Sequence, residues 1–167
     1  MSIVSAEDWV VDSTPLIVLA KIDYLHLLTL FADQLLIPQI VADEVQAGDE
    51  NDPARKALTS GFGQSFLSPT IPPQVAAYCL DPGEEAVLAG ALARPGSRAV
   101  LDDGKGRLAA QGLNIPLIGT LGIIVRARMA NHIPAAKPLI MALRQVDFRA
   151  DDTLIRSVLQ RLGETWP

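Results

Sequence analysis

Short apolar runs of strand length alternate along this chain with segments of helical period, and that alternation constrains the fold more than any single motif. It is the pattern of βα units, in which a helix returns the chain to the same end of the sheet, so that the strands run parallel. The runs DWVVD (8–12), QLLI (34–37), SFLS (65–68), RAVLD (98–102) and PLIG (116–119) predict five strands. Between them, Thr14 is placed to cap a helix starting at Pro15, and Pro38 to open one that Gly48 closes. The segment LDPGEEAVLAGALA predicts a turn and then a helix ending before Pro95 and Gly96. Helices then cover both faces of the sheet.

From about residue 119 onward the chain reads as mostly helical, in GTLGIIVRARMANHI, PAAKPLIMALRQV and DDTLIRSVLQRL, the last two packing outside or against a partner. The polar stretch 47–64 predicts an exposed loop with about two helical turns and no domain boundary. At 167 residues the chain suffices for one well-buried core, so a single domain over 1–167 is expected.

Charge narrows the function classes. A net charge of −5 argues against a protein that holds nucleic acid by a general basic field, so any such binding must be local. Lys105, Arg107, Arg126 and Arg128 in one region, and Arg144, Arg149, Arg156 and Arg161 near the end, permit a basic rim around an acidic centre. Solvated helix faces are the plainer account of the same residues. No apolar run approaches the roughly 20 residues that span a bilayer. MSIVSAEDW lacks the basic and apolar parts of a secretory signal, and Cys79 is the single cysteine, so a cytoplasmic protein without disulfides is expected. The two histidines, His26 and His132, have no partner at metal-ligand spacing, which disfavours zinc and leaves both structural. Phosphate-binding glycine loops and the serine-hydrolase elbow are absent from the sequence.

Carboxylates carry the remaining chemistry. Asp12 follows Val10 and Val11 at the carboxyl end of the first predicted strand, and Asp102 with Asp103 repeats the arrangement after Ala99, Val100 and Leu101. Ligands of open parallel sheets bind along that edge, although each aspartate is equally suited to capping the helix that follows. Glu44 lies four residues past Ile40 and three past Val41, on or beside a buried stripe, where it must sit at the edge, find a cation or face a polar cavity. Glu84 opens a helix, either completing a capping box with Asp81 or facing the other acids. Gathered on one edge, such acids repel one another unless a cation shares the site, and a hard ion such as Mg²⁺ or Mn²⁺ suits oxygen ligands.

The succession VVDSTPLIVLAKI, LLIPQIVADEV, LDPGEEAVLAGALA and AVLDDGKGRLAAQGLNIPLIGTLGIIVRA resembles the PIN-domain superfamily, in particular the uncharacterised prokaryotic branch related to VapC-type toxin ribonucleases. The resemblance runs over roughly residues 8 to 160. It implies a three-layer α/β/α sandwich around a parallel, about five-stranded sheet, and an Mg²⁺- or Mn²⁺-dependent endoribonuclease. The acids it implies are Asp12, Glu44, Glu84 and Asp102 or Asp103, with Ser13 or Thr14 as a supporting hydroxyl. Lys105 and Arg107, just beyond the last acids, are placed to steer an RNA phosphate backbone. An antitoxin partner and a homodimer are implied on the same ground. The chain departs from the toxins in offering glutamates in the third motif and in the form of LDDGKGR, which leaves a rival class: a catalytically weak or inactive PIN-like module that binds nucleic acid or protein.

Overall fold

The computed structural model describes residues 7–167; residues 1–6, part of the stretch judged for a leader, lie outside it. Its strands are β1 (Glu7–Val11), β2 (Ala32–Pro38), β3 (Gln64–Phe66), β4 (Arg98–Val100) and β5 (Leu117–Ile118). Helices α1 (Ser13–Lys21) and α2 (Leu27–Phe31) follow β1, and α3 (Gln39–Gln46) and α4 (Pro53–Thr59) follow β2. Helices α5 (Pro73–Ala76) and α6 (Pro82–Leu92) lie between β3 and β4, α7 (Gly104–Gly112) follows β4, and α8 (Thr120–Met129), α9 (Lys137–Gln145) and α10 (Asp152–Arg161) complete the chain. The fold is the expected α/β/α arrangement on a parallel sheet.

The five strands lie in the order β3-β2-β1-β4-β5, every pair parallel. The order reverses between β1 and β4, so a crevice opens beyond the carboxyl ends of those two strands, where ligands of open α/β sheets bind. Trp9, Val10 and Val11 of β1 are wholly buried. A run apolar at successive residues is what a strand covered on both faces requires.

Helix α6 can lie close to the sheet because its inner face is built of small residues. A Cβ on Gly90 would sit 2.8 Å from Phe66 Cζ and 3.5 Å from Val10 Cγ1, so a larger residue there would force helix and sheet apart.

Two expectations need correction. Helix α1 begins at Ser13, with extended Asp12 (φ −83°, ψ 170°) in the cap position rather than Thr14. Pro15 is tolerated in that first turn because the N–H it lacks would have no intrahelical partner. Within the polar stretch, residues 53–59 form α4, capped by the Asp52 carboxylate, which accepts from Ala54 N at 2.8 Å. These are about the two helical turns expected there, and the wholly buried Ala54 fastens α4 into the core.

The second correction concerns the basic rim. Arg98 and Arg126 both reach Glu7 at the amino end of β1, at 2.6 and 3.7 Å, and Arg94 pairs with Asp8 at 3.4 Å. Arg126 also lies over Trp9 and Phe31, 5.7 and 5.6 Å from the ring centres, and Arg128 pairs with Glu164 at 3.8 Å. Burial works to raise the Glu7 carboxyl, but hydrogen bonds from Arg98 and Trp9 and the charges of Arg98 and Arg126 hold it below the usual range. Arg94, Arg98 and Arg126 thus fasten the end of the sheet opposite the crevice, since all strands run the same way, while Arg128 ties α8 to the C-terminal segment.

Ile133, Leu139, Ile140, Leu143, Ile155 and Leu159 are buried, so the last helices spend most of their apolar surface on the core. Among the described residues no helix is long and apolar enough to cross a membrane.

Candidate active site

The crevice beyond β1 and β4 gathers the acids that the sequence singles out. Asp12 follows the last residue of β1, its N–H donating to Val100 O at 3.0 Å, and it is only 7% exposed. It stands at the cap position of α1, yet its side chain makes no capping hydrogen bond. Capping therefore does not account for this carboxylate. Burial pushes its pKa up to about 6; the Ser13 amide opposes the rise, and the charges of Glu44, Asp102 and Asp103 add to it.

Glu84 lies in the first turn of α6 and is 7% exposed. Asp81 at the cap makes no side-chain capping hydrogen bond, so the simple cap predicted for this turn is not formed. Burial first, then the charges of Asp103, Asp12 and Asp81 and a proton shared with the Asp103 carboxylate, push Glu84 up to about 7.

Glu44 reaches the cluster from the edge of its helix's buried face. The inner face of α3 is Val41, Ala42 and Val45, while Ile40 is 38% exposed and Glu44 is exposed with it. The edge-of-stripe placement holds. A Cβ on Gly83 would lie 2.7 Å from Glu44 Oε1 and 3.4 Å from Asp12 Oδ1, so the two carboxylates flank a glycine whose missing side chain leaves them room.

Asp102 and Asp103 divide their duties. Asp102 is half-buried; its Oδ1 accepts from Thr120 N at 2.7 Å and its Oδ2 from Thr120 Oγ1 at 2.6 Å. Burial raises the Asp102 pKa, against the two Thr120 hydrogen bonds and the nearby charge of Arg107. Asp103 is exposed and caps α7, its Oδ2 accepting from Lys105 N at 3.0 Å and Gly106 N at 3.3 Å. Thr120, wholly buried at the start of α8, is the site residue that sequence reasoning missed. The signal available was the IGT that ends β5, which delivers a hydroxyl to the same sheet edge.

Of the residues expected to meet nucleic acid, Ser13 is half-buried beside Asp12, and Lys105 donates from Nζ to Cys79 O at 2.9 Å. Arg107 donates from Nη1 to Leu101 O at 3.3 Å. A Cβ on Gly119 would meet Arg107 Nη1 at 2.7 Å and Asp102 Oδ1 at 2.8 Å, which places that guanidinium at the rim of the crevice.

Among the described residues no ion pair involves Asp12, Glu44, Glu84, Asp102 or Asp103. Also among the described residues, no three acids, cysteines or histidines close on one point as a ready-made metal cage. Mg²⁺ keeps several waters and takes one or two protein carboxylates directly, so it does not require such a cage. Hard oxygen donors carrying uncompensated charge fit such an ion by their chemistry.

A PIN-domain family model, DUF3368, matches residues 8–164. The chain belongs to the PIN-domain family. PIN domains are in general nucleases, typically employing divalent metals, so membership implies hydrolase chemistry on a nucleic-acid substrate. No curated protein matches the chain. The crevice is where this PIN domain, like other open α/β folds, can present a site.

Proposed function

We propose that this PIN domain is a divalent-metal-dependent endoribonuclease whose site is Asp12, Glu44, Glu84, Asp102 and Asp103. One observation carries the reading: two of these carboxylates, Asp12 and Glu84, are buried among the charges of acidic neighbours, with pKa values raised to about 6 and 7. Burying like charges is costly unless a cation is bound. When bound, Mg²⁺ or Mn²⁺ supplies Lewis-acid polarisation of a phosphodiester and an acidified water.

The chain's own residues do the positioning. Asp12 is fixed by the central strand, and Asp102 is held by both donors of Thr120. Glu84 rides on the first turn of α6, and Glu44 approaches from α3 across Gly83. At the rim Arg107 meets a phosphate, with Ser13 and Lys105 beside it. The toxin-type role, with an antitoxin partner and a homodimer, belongs to this proposal on family likeness.

The test is cleavage of unstructured and hairpin RNAs by the purified protein with Mn²⁺, with Mg²⁺ and with EDTA. Metal-dependent cleavage that Asp12→Asn abolishes supports the reading, and equal cleavage in EDTA, or none across a broad RNA panel, overturns it. The glutamates of the third motif and the form of LDDGKGR support a second reading, a PIN module without turnover. A melting temperature unmoved by millimolar Mn²⁺ selects that one.

A further inference from the structure

A groove of about 590 Å³ opens from the candidate site at Asp102 and Arg107 and runs between α8 and the segment 148–161. Its size is that of pockets which bury a small organic ligand. Its walls are of two kinds. Leu121 and Val125 of α8 face Leu154 and Val158 of α10 in an apolar strip, and the half-buried ring of Phe148 closes one side. Around that strip stand the guanidinium groups of Arg149 and Arg161, both exposed and, among the described residues, in no ion pair.

Two acids line the groove: Asp102 belongs to the candidate site and accepts from Thr120, and Asp151 caps α10, its Oδ1 accepting from Thr153 N at 2.6 Å. In a chain of net charge −5, free arginines along an apolar strip that leads into an acidic centre form a local exception to the overall charge. Such a surface matches an unpaired nucleotide, which presents a flat apolar base on one side and a phosphate on the other. A paired base, stacked within a helix, could not reach the strip.

We infer that this groove is a nucleotide subsite of the candidate nuclease: the strand flanking the scissile phosphate passes Arg107 and lays an unstacked base against Leu121, Val125, Leu154 and Val158, with Phe148 beside it and its phosphates on Arg149 and Arg161. The inference rests on the nucleic-acid reading of the site and adds to it the residues that select single strands. Arg149 and Arg161 are positioning residues that touch phosphates away from the reacting bond.

The experiment measures binding of a short, fluorescein-labelled unstructured RNA by anisotropy over a salt series, in the Asp12→Asn background so that no turnover intervenes. The double change Arg149→Ala and Arg161→Ala is expected to weaken binding and to reduce the slope of log K against log salt by about 1.4, at about 0.7 for each phosphate no longer neutralised. Leu154→Glu, at a position 51% exposed and therefore tolerant, is expected to weaken the same RNA while leaving the melting temperature in place. A duplex of the same sequence should bind less well and be indifferent to Leu154→Glu. Unchanged affinity in both variants, or an absence of RNA binding, overturns the subsite. On the wild-type background the two readings separate. Binding that depends on the groove without metal-dependent cleavage upholds the subsite and removes the nuclease; cleavage with kcat/KM unaltered by the arginine changes removes the subsite and keeps the nuclease.

Discussion

Asp12 gives a prediction whose sign runs against intuition: replacing the central carboxylate should stabilise the metal-free protein. Its pKa in the fold is raised from 3.8 to about 6, mainly by burial. A carboxyl raised in this way binds its proton more tightly in the native state, so stability falls as pH climbs from about 3.8 through 6 and then levels off. At about 1.36 kcal/mol for each tenfold change in proton affinity, the loss at pH 8 approaches about 3 kcal/mol. Asn keeps the shape and lacks the charge. Asp12→Asn is therefore expected to gain roughly 2–3 kcal/mol over the wild type at pH 8 in EDTA, which for a chain of this size is a rise of very roughly 5–10 °C in Tm. Below pH 4 the gain should vanish, because both proteins are then neutral at this position. Excess Mg²⁺ or Mn²⁺ should narrow the difference from the other side, since an ion bound at 100 times its Kd stabilises only the protein that binds it, by about 2.7 kcal/mol. Thermal melts at pH 3.5, 5, 6.5 and 8, with and without metal, read all three effects. A variant less stable than wild type at pH 8, or a gain that ignores pH, would falsify the picture of a buried charge held in place for a ligand.

Three further perturbations probe other parts of the structure. Thr120→Val removes the hydroxyl that donates to Asp102 Oδ2 and should cost about 1–3 kcal/mol in urea unfolding, together with most of the nuclease activity, with Thr120→Ser restoring both. Gly83→Ala sets a methyl 2.7 Å from Glu44 Oε1, the tip of a flexible exposed side chain; calorimetry should show weakened Mn²⁺ binding, with Tm within about 2 °C of wild type, and a large Tm loss would contradict the placement of Glu44. Trp9→Ala deletes a wholly buried indole stacked on Phe31, and should lose about 3–5 kcal/mol by denaturant titration whatever the metal concentration.

The central strands were legible because each holds an apolar run too short to be a helix, and Val10, Val11, Ala99 and Val100 needed no partner to announce themselves. The acids were legible for a related reason: a carboxylate directly after such a run must lie at the sheet edge where the chain turns. Tertiary context decided the rest. Ile40 looks like part of a stripe, but α3 is rotated so that Val41, Ala42 and Val45 face inward, which leaves Glu44 at the margin. Ser13, Thr14 and Asp12 are all competent caps, and only the backbone shows that the helix starts at Ser13 while the Asp12 side chain declines the role. Arg126 looked like a rim cation until its pairing with Glu7, far off in sequence, placed it at the other end of the sheet. Thr120 escaped notice because its partner Asp102 lies eighteen residues earlier in the sequence. Hydrogen bonds of that reach carry no local pattern.

The burial of β1 has a mechanical consequence. Trp9, Val10 and Val11 are enclosed and flanked on both sides by parallel neighbours, so their amides should exchange with solvent only when the entire molecule opens. One jaw of the crevice is thus as rigid as the protein permits. Glu44, an exposed side chain on α3, is the acid free to change rotamer, so adaptation to ions of different girth falls to that side chain.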